Sequence, residues 1–321
     1  MNNKIWVLVD YKLGNSNQAL ALAKELKAPY IIKQVNYNIL GWLPNCLLRS
    51  YPFHVKFECL QLMDLNNLPA VIISSGRRTA SLALYLKRQS SQKLRIIQIM
   101  KPDGNLEKFD VVILPQHDSF KHASSNVIRI IGALSSIDTS RTSVEHIIPR
   151  YPATQNCIAV IIGGNTKNYT FTTADARLFI SILKNITIHH TSQFFITFSR
   201  RTPQVVKQII RQCFIGPHVI YDPDDSAPNP YLAMLAGANY IISTADSISM
   251  CSEAASTGKP LYIFYPDSFK LRKHRFFIQQ LFDLGVAKRL DQSVSVLQNY
   301  SYVPLNEVKR VAEIIRSDFG F

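Results

Sequence analysis

Residues 241–260, IISTADSISMCSEAASTGKP, have the types and spacing of a strand, a polar turn, a small-residue helix and a second strand, with polar groups at the helix mouth. Asp246 and Ser247 stand where an apolar run gives way to a small-residue helical pattern. Free backbone N–H groups at such a helix mouth can hold a phosphate. Glu253 follows inside the first turns, within reach of a ribose hydroxyl. Ser and Asp at this place also serve as ordinary helix caps. A second loop, Gly163-Gly164-Asn165-Thr166-Lys167-Asn168, follows another apolar run. Two glycines let the backbone approach a phosphate closely, and Lys167 can neutralise it. The spacing is not that of a GxxxxGK[ST] P-loop.

Two arginine pairs repeat one pattern. Ser75-Gly76-Arg77-Arg78-Thr79 and Ser199-Arg200-Arg201-Thr202 each follow an apolar strand and precede a helix. Adjacent arginines at such a turn are costly to bury and suit an anion, which a guanidinium fork holds bidentately. A solvated turn is the plainer alternative. His117-Asp118 follows the apolar run 109–114, and Asp10 ends the run 4–9. A His or Asp at the carboxyl end of a sheet strand is placed for general-base work. Neighbours in sequence need not hydrogen-bond, so structural roles compete. Residues 222–229, DPDDSAPN, carry carboxylates that suit a cation but have ordinary turn composition, so no metal site is expected.

The elements that must position these groups alternate strand and helix. Apolar runs at 4–9, 31–35, 70–73, 94–99, 109–114 and 126–131 predict strands in the first half. Runs at 157–162, 193–197, 219–221, 239–242 and 261–264 do so in the second. Helical periodicity appears at 15–27, 80–88, 172–185, 248–257, 276–284 and 303–315. This predicts an α/β protein of two related domains. The polar stretch 138–156 is the expected linker, separating residues 1–145 from 155–300. Residues 301–321 hold an amphipathic helix expected to pack back on the first domain.

The chain has 321 residues, 47% hydrophobic and 18% charged, with a formal charge of +14. That excludes a disordered chain and favours an anionic partner: a nucleotide, an anionic lipid surface or a nucleic acid. No aromatic–basic interleaving or recognised motif supports nucleic acid, so none is expected. Five scattered cysteines without a CxxC point to a reducing compartment, and the first residues read as a strand rather than a leader. Residues 39–57 mix Trp42, Leu43, Leu47 and Leu48 with Arg49 and Lys56. This segment reads as an irregular buried helix or as an apolar lip on an anionic membrane surface. The expected location is cytoplasmic, peripheral on the inner face of the membrane.

The chain resembles the ELM1-like mitochondrial-fission family over nearly its whole length. The resemblance rests on Gly14-x-x-x-Gln18-Ala19, Ser75-Gly76-Arg77-Arg78-Thr79, His117-Asp118, Gly132-Ala133-Leu134, Gly163-Gly164, Ser199-Arg200-Arg201-Thr202, Asn229-Pro230-Tyr231 and Asp246-Ser247-x-Ser249-Met250-x-x-Glu253-Ala254. That family is similar to two-domain, nucleotide-sugar-dependent glycosyltransferases with facing Rossmann-like domains, the glycosyltransferase-B type. The resemblance implies a donor site at Gly163, Gly164, Lys167, Arg200, Arg201, Asp246, Ser247, Ser249 and Glu253. It implies an acceptor side with Gly14, Gln18, Arg77 and Arg78, and a base among Asp10, His117 and Asp118. No tightly bound cofactor or metal is implied; a nucleoside diphosphate sugar is the co-substrate and a lipid-linked or envelope glycan the acceptor. The family's plant members imply the alternative of a non-catalytic, membrane-associated interaction protein. The absence of GxGxxG and of a suitable YxxxK argues against an epimerase.

Overall fold

The computed structural model describes residues 4–43, 51–102, 104–118, 124–135, 137, 156–189, 192–215, 218–226 and 228–320, with side chains at 187–189 left aside. Most of the expected linker, and Leu47, Leu48 and Arg49 of the apolar segment, lie outside these residues. The chain divides into two units: Met1–Ser135 with Asn306–Phe321, and Ser136–Leu305.

The first unit is one parallel sheet. Its strands are β1 (Ile5–Val9), β2 (Tyr30–Gln34), β3 (Val71–Ser75), β4 (Arg95–Ile99), β5 (Val111–Pro115) and β6 (Val127–Ile130), in spatial order β2-β1-β3-β4-β5-β6. The inner strands β1 and β5, and β3 through Ile73, are apolar without alternation because both faces are covered. Alternate residues go to opposite faces: Ile5, Val7 and Val9 join one core, Trp6 and Leu8 the other. Helix α1 (Leu13–Glu25) covers the first face through Ala19, Leu22 and Ala23. Helix α2 (Phe57–Gln61) and helix α3 (Arg77–Gln89) cover the second through Cys59, Ala80, Ala83 and Leu86.

The second unit repeats the plan with β7 (Asn156–Ile162), β8 (Ser192–Phe198), β9 (Val219–Tyr221), β10 (Tyr240–Thr244), β11 (Leu261–Phe264) and β12 (Ala287–Leu290). All pair in parallel, in order β12-β11-β10-β7-β8-β9. Its helices are α4 (Thr173–His189), α5 (Gln204–Cys213), α6 (Tyr231–Gly237), α7 (Ile248–Ala255) and α8 (Arg272–Asp283). The last helix, α9 (Glu307–Phe319), belongs to the first unit. Val308, Val311, Ala312 and Ile315 enter the core that α1 covers, and Arg316 Nη1 donates to the Glu25 carbonyl at 2.7 Å.

Both sheets reverse direction of winding once, between β1 and β3 and between β7 and β10. In open α/β sheets ligands bind outside the carboxyl ends of the strands at such a switch point. The loops there are residues 10–14 and 75–78 in the first unit, and 163–165 and 245–247 in the second.

Candidate functional site

At the second unit's switch point, four loops meet around one buried carboxylate. Asp246 is 3% exposed. Its Oδ2 accepts the Gly164 N–H at 2.7 Å and Arg201 Nη2 at 3.3 Å, and its Oδ1 accepts the Thr244 hydroxyl at 2.6 Å. Thr244 Oγ1 in turn accepts the Gly163 N–H at 2.8 Å. Burial raises the Asp246 pKa, although the Thr244 and Gly164 bonds and the Arg201 charge oppose the rise. His274, from the first turn of α8, hydrogen-bonds the Asp246 backbone; burial and the Arg201 charge hold this imidazole neutral by lowering its pKa.

This arrangement changes the part played by the two glycines. A Cβ on Gly163 would lie 2.1 Å from Asp246 Oδ2, and one on Gly164 would lie 2.1 Å from the Arg201 carbonyl. Both N–H groups are taken by protein acceptors. The glycines therefore admit Asp246 and the 199–202 loop rather than offering their own amides to a phosphate. Arg201 Nη1 also donates to the Asn165 carbonyl at 2.9 Å, while Lys167 and Arg200 are exposed.

Ser247 caps α7, accepting from the Met250 N–H at 3.4 Å, and Ser249 has no side-chain partner among the described residues. Glu253 is half-buried two turns into α7. Its Oε2 accepts the Tyr231 hydroxyl at 2.6 Å, leaving Oε1 without a partner among the described residues. Burial raises the Glu253 pKa and the Tyr231 bond only partly offsets this. Tyr231 stands at the start of α6, its N–H bonded to Asn229 Oδ1 at 3.0 Å. A cavity of about 570 Å³ lies elsewhere in this unit, lined by Tyr265, Arg275, Phe276 and Arg289 among others. It does not include the α7 mouth.

In the first unit, Asp10 is 6% exposed; its Oδ2 accepts from Tyr37 Oη at 3.2 Å and its Oδ1 from the Lys12 N–H at 2.8 Å. Arg78 Nε donates to the Gly41 carbonyl at 2.8 Å and Nη1 to the Tyr11 hydroxyl. Arg77 Nη1 donates to the Leu43 carbonyl at 3.2 Å. Gln18 is buried, its Oε1 accepting the Leu134 N–H at 3.2 Å and its Nε2 donating to the Gly14 carbonyl at 3.2 Å and to Met100 Sδ at 3.7 Å. Its amide is engaged by protein atoms, and through it Gln18 ties the start of α1 to Leu134 and Met100. His117 and Asp118 lie in the turn after β5, with Arg129 Nη2 donating to the Gln116 and Asp118 carbonyls at 3.0 Å each. They share the strand-end rim with Asp10 but lie three strand spacings from it, about 14 Å. Asp10 and His117 are thus not partners.

The carboxylates of the 222–229 loop serve structure. Lys207 Nζ is 2.6 Å from Asp222 Oδ1 and 2.7 Å from Asp224 Oδ2, and Arg211 Nη2 is 2.8 Å from Asp222 Oδ2. The sequence alone does not single out Thr244, Tyr231 as the partner of Glu253, or His274. Only His274 had a signal, as part of the 270–275 basic cluster.

The comparisons with known proteins agree on fold. The UDP-GlcNAc 2-epimerase of Methanocaldococcus jannaschii superposes with a TM-score of 0.61 at 9% identity, covering 98% of this chain and 99% of that one. The glycotransferase of kitacinnamycin gives 0.54 at 12% identity, covering 99% and 92%. Each sheet with its helices is Rossmann-like, and the chain has the glycosyltransferase-B type of two-domain fold. The fold is thus shared with proteins named as an epimerase and as a glycotransferase, and the fold by itself does not separate the two. An uncharacterized protein of Rickettsia prowazekii (strain Madrid E) is 45% identical, covering 97% of both chains. The mitochondrial fission protein ELM1 of Arabidopsis thaliana is 28% identical over 78% of this chain and 64% of its own length. The family model described as mitochondrial fission ELM1 matches residues 13–319, and the chain belongs to that family.

Proposed function

We propose that the chain binds a nucleoside diphosphate sugar at the α7 mouth of the second unit and transfers its sugar to a lipid-linked or envelope glycan acceptor held by the first. The observation that carries this is Glu253: a desolvated carboxylate fixed on one side by Tyr231, with its other oxygen open, on a helix that begins at the switch point. Glu253 accepts a ribose hydroxyl. Ser247, Ser249 and the α7 amides, with Lys167, Arg200 and Arg201, meet the diphosphate charge. Gly163, Gly164, Thr244, Asp246 and His274 set the shape of that cradle.

In the transfer, an acceptor hydroxyl oxygen bonds to the anomeric carbon as the carbon–oxygen bond to the β-phosphate breaks. The nucleoside diphosphate leaves with the bonding pair, and a base takes the hydroxyl proton. His117 is the preferred base, with Asp118 and Asp10 as alternatives. At the first unit's surface, Trp42 is 81% and Ile39 85% exposed, with Phe53 and Phe57 exposed near Lys56. Exposed apolar side chains beside a lysine suit peripheral docking on an anionic membrane surface.

Epimerisation of the bound sugar is the second reading, favoured by the fold shared with the epimerase. The plant relative's name favours a third, an interaction protein without catalysis. Incubation with UDP-GlcNAc and related donors, followed by phosphorus and proton NMR, separates them. Nucleoside diphosphate released only when a glycan acceptor is present supports transfer. A new sugar nucleotide formed without acceptor supports epimerisation. No turnover with any donor overturns both enzymatic readings.

A further inference from the structure

Arg78 is the feature of the first unit most in need of a partner. It is the second residue of α3 and only 9% exposed. Its guanidinium is held in place by the Gly41 carbonyl and the Tyr11 hydroxyl, with its Cζ 5.4 and 5.3 Å from the ring centres of Tyr11 and Tyr37. Its Nη2 has no acceptor, and no carboxylate pairs with it, among the described residues. The neighbouring Asp10 is engaged by Tyr37 and by the Lys12 amide.

Among the described residues, the other buried cations are relieved. Lys207 has Asp222 and Asp224. Lys259 bonds the Ala236 and Ala238 carbonyls, and burial lowers its pKa to about 8, so it can shed its proton. An arginine cannot. A buried charge without a counter-ion is strongly unfavourable, and a ligand anion removes the penalty.

Two independent features lie at the same place. No side chain caps α3, whose N-terminal residue Gly76 has a φ of 82°. A Cβ there would lie 2.5 Å from Asn15 Nδ2, so the chain passes tightly under the helix mouth. Ser75, the last residue of β3, is 2% exposed and its hydroxyl has no hydrogen-bond partner among the described residues. The uncapped helix mouth, the buried Ser75 hydroxyl and the Arg78 guanidinium all belong to the β3–α3 connection at the β1/β3 switch point.

We propose that Arg78, Ser75 and the α3 mouth bind a phosphate group, which makes the acceptor a phosphate-bearing one. Arg78 offers Nη2 and its remaining Nη1 hydrogen as a fork, and Tyr11 adds a hydroxyl. The acceptor role rests on the proposed transfer reaction. The phosphate site itself is in the other unit from the nucleotide site, so each can fail without the other.

The test titrates the full chain with inorganic phosphate by calorimetry. Wild type should show saturable binding. Arg78→Gln and Ser75→Ala should each weaken it, Arg78→Gln by about tenfold or more. Arg78→Lys, which keeps charge without the fork, should fall between. Vesicles of phosphatidylcholine carrying phosphatidic acid or an equal charge of phosphatidylserine identify the source. Preference for phosphatidic acid that Arg78→Gln abolishes points to a lipid phosphate; free phosphate binding without such preference points to a soluble one. No saturable phosphate binding by wild type, or wild-type affinity in both Arg78→Gln and Ser75→Ala, overturns the site. If Arg78→Gln does not fold, Ser75→Ala and Arg78→Lys decide it.

Discussion

Replacing Gly163 by alanine probes the cradle without touching any proposed ligand contact. The added methyl would begin 2.1, 2.3 and 2.5 Å from Asp246 Oδ2, Oδ1 and Cγ. Ordinary contact requires about 3.4 Å or more, so carboxylate and loop must part by roughly 1 Å. The carboxylate is enclosed and accepts from Gly164, Thr244 and Arg201 at 2.7, 2.6 and 3.3 Å, so that shift breaks or stretches all three bonds. Hydrogen bonds to a charged group contribute about 1.5–3 kcal/mol each. With partial relaxation the net loss is about 3–4 kcal/mol. For a unit of this size, about 2–4 °C per kcal/mol puts the melting shift at roughly 6–16 °C. The assay is calorimetric melting, followed by a cycle with Asp246→Ala. The two substitutions should be strongly sub-additive, because removing the carboxylate removes the clash. A Gly163→Ala protein melting with wild type would refute the packing, and additive losses would refute Asp246 as the cause.

Three further outcomes follow from other parts of the molecule. Lys207→Met leaves the enclosed Asp222 with Arg211 alone and should lower unfolding free energy by about 3 kcal/mol in urea titration; Asp222→Asn on top should restore part of it. Burial would raise the Asp222 pKa, but Lys207, the Asp224 amide and Arg211 hold it below its ordinary value. Its stabilisation is therefore present above the unfolded carboxylate pKa and lost as pH falls through the depressed folded value. Glu253 runs the other way: burial raises its pKa, so its effect on the unliganded fold is favourable at low pH and lost as pH rises through the raised value. Nucleotide affinity has the opposite dependence, falling on acidification as Glu253 is protonated, at higher pH than an ordinary carboxylate; calorimetry across pH reads this. Trp42→Ser should reduce co-sedimentation with anionic vesicles and leave the melting temperature unchanged, since Trp42 is 81% exposed; equal sedimentation would remove Trp42 from the contact.

Strands buried on both faces were legible because their residues are apolar without polar interruption, as in β1 and β5. Strand β12 was not: Ala287-Lys288-Arg289-Leu290 lies at the sheet edge, where charges block further pairing. Helices α3 and α8 start earlier than periodicity suggests, because Arg77, Arg78 and the 272–275 cluster form polar first turns. The α7 mouth was legible from the polar turn between strand and helix. The partners around it were not, since Tyr231 and Glu253, or Gly163 and Asp246, meet only through the β7/β10 winding. Gly163 and Gly164 read as an opening for a ligand, and only the crossing loops reveal that protein atoms fill it. Arg78 looked like one of a pair. Its partners Tyr11, Tyr37 and Gly41 come from loops whose meeting no local pattern announces.

Nucleoside diphosphate binding at Glu253 is the claim from which the rest of the functional account is built. Isothermal titration of the full chain with UDP and other nucleoside diphosphates at neutral pH, on wild type and Glu253→Gln, tests it most directly. Wild type should bind at least one nucleotide at a single site. Glu253→Gln should lose about 1–3 kcal/mol of that affinity, the scale of one hydrogen bond to a charged group, with an unchanged fold. No binding by wild type, or equal affinity in the two proteins, would contradict the account.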